Sequence, residues 1–154
     1  MPYARLSASG NVREQAQSVE RTGMGDLLAR LSVNLYGAPA LSLREFPRYH
    51  QDWIIGATLQ VQAPTGHYYH EKLVNIGTNR WAVKPELGAS KAPGPWTLES
   101  EASVVFFTDN DEFYGGNVRH QNPLFAVQAH AIYNFSAKLW GRSTEPTTPA
   151  AARP

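Results

Sequence analysis

Residues 96–107 read WTLESEASVVFF, and the period of that stretch decides the fold. Trp96, Leu98, Ala102, Val104 and Phe106 share one parity, while Thr97, Glu99, Glu101 and Ser103 share the other. Successive side chains of an extended chain point to opposite faces, so a period of two predicts a β-strand. Its apolar face begins and ends in an aromatic ring.

The same alternation recurs outward in both directions. Trp53, Ile55, Ala57, Leu59, Val61 and Ala63 alternate with Gly56, Thr58, Gln60 and Gln62, and Trp81, Val83, Leu87 and Ala89 alternate with Lys84, Glu86, Gly88 and Ser90. Phe125, Val127, Ala129, Ala131, Tyr133 and Phe135 oppose Gln128, His130 and Asn134. Nearer the start, Leu27, Ala29, Leu31, Val33 and Leu35 oppose Arg30, Ser32 and Asn34, and Ala4, Leu6, Ala8 and Val12 oppose Arg5, Ser7, Ser9 and Asn11. Each copy is about 10 residues long, the length a tilted strand needs to cross a bilayer core. The expected fold is all-β: part of an antiparallel up-and-down transmembrane β-barrel, with about six or seven strands.

Composition fits this reading. The chain has 154 residues, a net charge of +1, 42% hydrophobic residues and no cysteine. One domain fits that length, and a strongly basic nucleic-acid binder and a disulfide scaffold are both excluded. Mean hydropathy is below zero. Membrane barrels hide their apolar half in alternation, so that average is compatible with strands that cross a bilayer. The opening MPYARLSASG shows no basic segment followed by an apolar one, so the export signal that an outer-membrane location requires is missing from this stretch. The expectation is a chain truncated at its start.

Connections alternate in length. Asn11–Gly25, Pro64–Arg80 and Thr108–Pro123 are long, polar and rich in Gly, Asn and Asp, and read as loops on one side. KAPGP at 91–95 and the stretch around Ser136–Lys138 are short enough for hairpin turns on the other side. Gly37–Asp52 breaks the rule, being long on the short-turn side. It carries the capping-box pattern Ser42-Leu43-Arg44-Glu45, which predicts a turn or two of helix cut short at Pro47. After Trp140 the sequence turns to GRSTEPTTPAAARP, which predicts a partial barrel over 1–140 and a disordered Pro/Thr/Ala-rich tail over 141–154.

The chemistry of the two faces bears on which one meets lipid. Charged residues make up only 18% of the chain, whereas a soluble barrel dresses its outer face in Lys and Glu. Trp53, Trp81, Trp96, Phe106, Tyr133, Phe135 and Trp140 cap the apolar faces, as expected of an aromatic girdle at the membrane interface. With apolar faces outward, Arg5, Arg30, Gln60, Lys84, Glu86, Glu99, Glu101, Gln128 and His130 are the candidate lumen-lining residues. Two readings of that mixed charge compete: a constriction that filters solutes, and an internal ion-pair network that fills a narrow barrel.

Residues that invite a catalytic or metal role are few. His67, His70 and Glu71 lie together in HYYHE, but the histidines are three apart in a loop and no third ligand is indicated. Asp109, Asn110, Asp111 and Glu112 resemble half a calcium loop without its glycine and distant glutamate. With no nucleophile elbow, phosphate loop or dinucleotide fingerprint, the expectation is a protein that is not an enzyme and needs no metal or cofactor.

The segments SVNLYGAPAL, GATLQVQAPTGHY, LVNIGTNRWAVKPELGAS, WTLESEASVVFFTDNDEFYGG and PLFAVQAHAIYNF resemble the bacterial family named for the MetA pathway of phenol degradation. The resemblance runs from Pro2 to Trp140, and the APTG turn, NIGTNRW and FFTDNDEF are its most specific parts. It implies an outer-membrane β-barrel that acts as a channel or transporter for small compounds, aromatic or hydrophobic ones among them. Its partners would be the lipid bilayer and such a solute, with no nucleic acid and an oligomeric state left open. The family's export signal and later strands are not in this chain, which therefore resembles a truncated member. Two alternatives stand beside this one: a soluble β-sandwich or lipocalin-like ligand-binding protein, and a nonfunctional fragment.

Overall fold

The computed structural model describes residues 2–12, 15–136, 139–145 and 150–151. Regular structure in them is β throughout, apart from one 3-10 turn at Phe46–Arg48. The strands are β1 (Tyr3–Val12), β2 (Gln15–Met24), β3 (Leu27–Tyr36), β4 (Trp53–Ala63), β5 (Ala82–Lys91) and β6 (Trp96–Phe107), followed by β7 (Asn110–Phe113), β8 (Asn117–Arg119), β9 (Leu124–Ser136), β10 (Leu139–Glu145) and β11 (Ala150–Ala151). The main sheet is antiparallel, with strand order β10-β9-β6-β5-β4-β3 and β11 added against β9. The hairpins β1–β2 and β7–β8 form two separate small sheets. Neighbours in the main sheet follow chain order once β7–β8 is set aside, which is an up-and-down meander.

The chain divides into two compact units. One comprises residues 30–59, 84–105 and 123–154 and holds most of the main sheet. Its β6–β9 register runs from Trp96 opposite Tyr133, through Glu99 opposite His130 and Glu101 opposite Gln128, to Val105 opposite Leu124. The β5–β6 turn closes with the Trp96 N–H donating to the Pro93 carbonyl at 3.2 Å, and Gly94 at its first central position has φ 62°. That left-handed value is what glycine supplies in a primed hairpin turn.

The Gly37–Asp52 connection belongs to the same unit. Its Ser42 backbone N–H donates to Glu45 Oε2 at 2.9 Å, the half of the capping box in which the glutamate reaches back. Ser42 Oγ donates to the same oxygen at 2.7 Å instead of capping the backbone ahead, and only the short 3-10 turn follows. These two hydrogen bonds, side chain first and backbone second, hold the Glu45 carboxyl below the usual glutamate range.

The other unit comprises residues 1–29, 60–83 and 106–122. Here Asn11–Gly25, expected as a loop, is mostly strand: β2 pairs with β1 from Tyr3↔Met24 to Val12↔Gln15. Its sequence QAQSVERTGM has no apolar face, so backbone pairing with β1 makes it a strand and hydrophobic periodicity gives no sign of it. Likewise Thr108–Pro123 contains the β7–β8 hairpin, turned by Gly115 and Gly116 at φ 74° and 81°. Pro64–Arg80 remains irregular.

The last part of the chain carries strands as well. Strand β10 continues past Trp140 to Glu145, and Ala150–Ala151 pair with Phe125 and Leu124, so part of the expected tail is in the sheet. Residues 146–149 and 152–154, with the Ala137–Lys138 hairpin centre, lie outside the described residues.

The two faces of the strands differ in exposure. Among the described residues no hydrophobic side chain is buried, and the buried polar ones are Ser103 and Asn110, at 7% and 2% exposure. On β6 the apolar parity is the more open one: Trp96, Leu98 and Ala102 are exposed while Thr97, Glu99 and Glu101 are half-buried. Leu87 on β5 and Val127 on β9 stand 60% and 55% exposed. A sheet that turns its leucines and valines out and its glutamates in is arranged for an apolar solvent.

Candidate functional site

The polar parities of β3, β5 and β6 bring four charged residues together in the first unit. Glu86 on β5 receives Arg30 Nη2 from β3 at 3.1 Å and Lys84 Nζ at 2.8 Å. Lys84 and Glu86 are two residues apart and share a face, so the pair follows directly from the strand period. Lys84 Nζ also lies 3.9 Å from Glu101 Oε1 on β6. The Glu86 side chain is 10% exposed and Arg30 is 58% exposed, so the carboxylate sits inside and the guanidinium reaches it from water.

A second group lies along β6, β9 and β10. Glu99 stands opposite His130 in the register, and its Oε2 is 3.4 Å from His130 Nδ1. Gln128 Nε2 lies 2.6 Å from His130 Nε2, and Arg142 Nη2 is 2.8 Å from the same ring nitrogen. At the β3 edge of the sheet, β3 and β4 contribute neutral hydroxyls: Ser32 and Thr58 share a hydrogen bond of 2.9 Å.

A cavity of about 360 Å³ opens on this polar face. Its wall includes Asn34 of β3, Thr58 of β4, Glu86 of β5, Glu101 of β6, His130 of β9 and Arg142 of β10. Six successive strands reach one cavity only if their sheet curls, so the charged face of this unit is its concave face. Carboxylates and cations of both groups meet on this face, so it presents both signs of charge.

Not every candidate joins this wall: Arg30 and Lys84 do not line the cavity and meet it only through Glu86. Arg5 pairs with Glu20 across the β1–β2 hairpin in the other unit, and Gln60 on β4 also belongs to that unit, half-buried. Arg142, which the sequence placed beyond the last strand, does join it. The missed signal was its backbone partner: Arg142 pairs with Ile132 only because β10 extends past Trp140.

The aromatic candidates are spread over both units. Trp53, Trp96, Tyr133, Phe135 and Trp140 belong to the first, where Trp96–Tyr133 and Tyr133–Phe135 pack edge-to-face with centroids 4.8 and 4.7 Å apart. Lys91 Nζ lies 4.9 Å from the Trp53 ring centroid. Trp81 and Phe106 belong to the second unit, and both are exposed.

Several of the loop residues that invited a metal reading hold other partners. His67 Nδ1 accepts the Met24 N–H at 2.8 Å, while the His67 N–H returns a bond of 2.8 Å to the Met24 carbonyl. Asp109 pairs with His120 at 2.7 Å. Asn110 takes Asn79 Nδ2 and the Glu112 N–H on its carbonyl oxygen, and gives its amide hydrogens to Tyr68 and Thr78. Asp26, in the β2–β3 connection, accepts from the Gly66 N–H, Gln62 Nε2 and both the N–H and hydroxyl of Thr78, at 2.7–2.9 Å. Burial alone would raise the Asp26 carboxyl, but these four donors together hold it below the usual aspartate range.

Comparison with known proteins fixes the class. The chain superposes over 92% of its length on an outer membrane channel from Pseudomonas putida, with a TM-score of 0.62 at 21% identity. Its fold is therefore that of an outer-membrane β-barrel, of which it holds a part: it spans 61% of that channel's length. Residues 1–142 match the family described as "Putative MetA-pathway of phenol degradation", and the chain belongs to that family. No curated protein matches it.

Proposed function

We propose that this chain forms part of the wall of an outer-membrane channel for small solutes, aromatic or hydrophobic compounds among them, and that it is a conduit and not an enzyme. The observation that carries the reading is the inversion of the two faces: apolar side chains exposed, interleaved charges around a concave cavity. In lipid the exposed leucines and valines meet their natural neighbour, and the strand backbones are satisfied by one another. The candidate lumen residues in this wall are Glu86, Glu99, Glu101, Gln128 and His130, with Arg142 added, while Arg30 and Lys84 pair with Glu86 and would face the lumen beside it. Arg5 and Gln60, in the other unit, are lumen candidates as well. Trp53, Trp81, Trp96, Phe106, Tyr133, Phe135 and Trp140 would form its interfacial girdle.

Two adjacent residues at the middle of β4 test the assignment. Leu59 is exposed on the apolar face, and Thr58 lines the cavity. Folding of the full chain into lipid vesicles should lose about 2–4 kcal/mol on Leu59→Arg, if that site lies near the bilayer midplane, and far less on Thr58→Arg. The reverse order, or a monomer that folds cooperatively in plain buffer, would overturn the membrane reading. Conductance across a planar bilayer then reports on passage itself.

A further inference from the structure

Beyond the channel reading, and independent of it, the loop unit contains a second cavity of about 160 Å³, lined by Tyr68, Leu73, Arg80, Asn110, Phe113 and Arg119 among others. Its polar wall is almost wholly committed. Asn110 uses both ends of its amide, Tyr68 OH donates to the Glu112 carbonyl at 3.1 Å, and Thr78 donates to Asp26. The guanidiniums are different. Arg80 Nη2 holds Gln121, but Nη1 is one of two buried side-chain polar atoms with no hydrogen-bond partner among the described residues. A buried, charged donor without an acceptor is costly, and native proteins rarely keep one without a reason.

Arg119 brings a second positive charge to the same space. Its Cζ lies 5.3 Å from the Phe113 ring centroid, and Arg80 Cζ lies 4.5 Å from that of Phe107. Among the described residues neither guanidinium forms a salt bridge. Burial first, and then the like charge of Arg119, ease the proton on Arg80 below the usual arginine range. Both effects would be relieved by an anion. Asn75 spends its amide on the Tyr69 backbone and the Lys72 carbonyl, and the apolar part of the wall comes from Leu73, Phe113 and Tyr68. A cavity of about 150 Å³ admits a single benzene ring.

We infer that this loop cavity binds a small organic anion whose apolar body is about one ring in size, its carboxylate drawn to the paired positive charges of Arg80 and Arg119 and its ring set against Leu73, Phe113 and Tyr68. Benzoate is the probe. Calorimetric titration of the full chain folded in detergent should show one saturable site for benzoate. Its neutral amide, benzamide, and inorganic phosphate should each bind at least tenfold more weakly, the first for want of charge and the second for want of a ring. Arg80→Gln and Arg119→Gln should each weaken benzoate at least tenfold. Arg119 is exposed, so its substitution should leave folding intact and decides the question if Arg80→Gln does not fold. No saturable benzoate binding, equal binding of benzamide or phosphate, or unchanged affinity in folded Arg119→Gln would each overturn the inference. Conductance in the same preparation answers separately for the channel.

Discussion

The cluster around Asp26 and the cluster around Glu86 are both built on one carboxylate, yet they are solved in opposite ways. Asp26 is surrounded by neutral donors, two of them backbone N–H groups, drawn from the end of β4 and an irregular loop. Glu86 is held by two flexible cations on strands, one of them more than half exposed. Neutral donors fixed by the backbone lock a geometry; long charged side chains in reach of water do not. The first arrangement fastens loops to each other. The second leaves opposite charges side by side on the concave face of the sheet.

That contrast sets an order of effects. Asp26→Ala strips the acceptor from four hydrogen bonds at once and should cost about 3 kcal/mol in denaturant unfolding from lipid vesicles, since hydrogen bonds to a charged group are worth about 1.5–3 kcal/mol each and water replaces part of the loss. A smaller cost than that of Glu86→Gln would break the comparison. Gly77→Val should follow, at about 2 kcal/mol. A Cβ at Gly77 would stand 2.8 Å from the Gly66 backbone, so the loop that presents the Gly66 N–H to Asp26 would have to part.

On the other side of the comparison, Glu86→Gln should cost only about 1 kcal/mol at low salt, and less as salt rises, because its cations remain solvated. Its larger consequence should be electrical: bilayer currents should shift toward anions, as the wall loses one negative charge and keeps Arg30 and Lys84. Unchanged reversal potentials across a salt gradient would remove Glu86 from the wall of the path.

The smallest effect is that of pH. Because the folded Asp26 holds its proton less tightly than the unfolded one, its contribution is complete above the ordinary aspartate range and disappears as pH falls through the lower folded value. Stability should therefore drop on acidification below that range, and Asp26→Asn should flatten this limb. A limb of the same depth in the variant would assign it to other carboxylates.

The strand period, the apolar parity and the aromatic caps were written in the sequence, because alternation is a local property that each strand carries by itself. So were the β5–β6 turn at Pro93-Gly94-Pro95 and the proximity of Lys84 to Glu86, both fixed by residues within a few positions of one another. The resemblance carried by APTG, NIGTNRW and FFTDNDEF pointed to the family that residues 1–142 match. Tertiary structure alone made strands of Gln15–Met24 and Gly141–Glu145, since neither has an apolar face and each is held by backbone bonds to a partner strand. It alone gave Glu99 to His130 and Lys84 to Glu101, because that choice depends on register across strands. It alone joined Asp26 to Thr78 and left Arg80 beside Arg119, pairs that are 52 and 39 positions apart and met only once the loops had folded. Which parity faced outward was also a tertiary decision: alternation is symmetric between its two faces, and only the curl of the sheet makes one of them the inside.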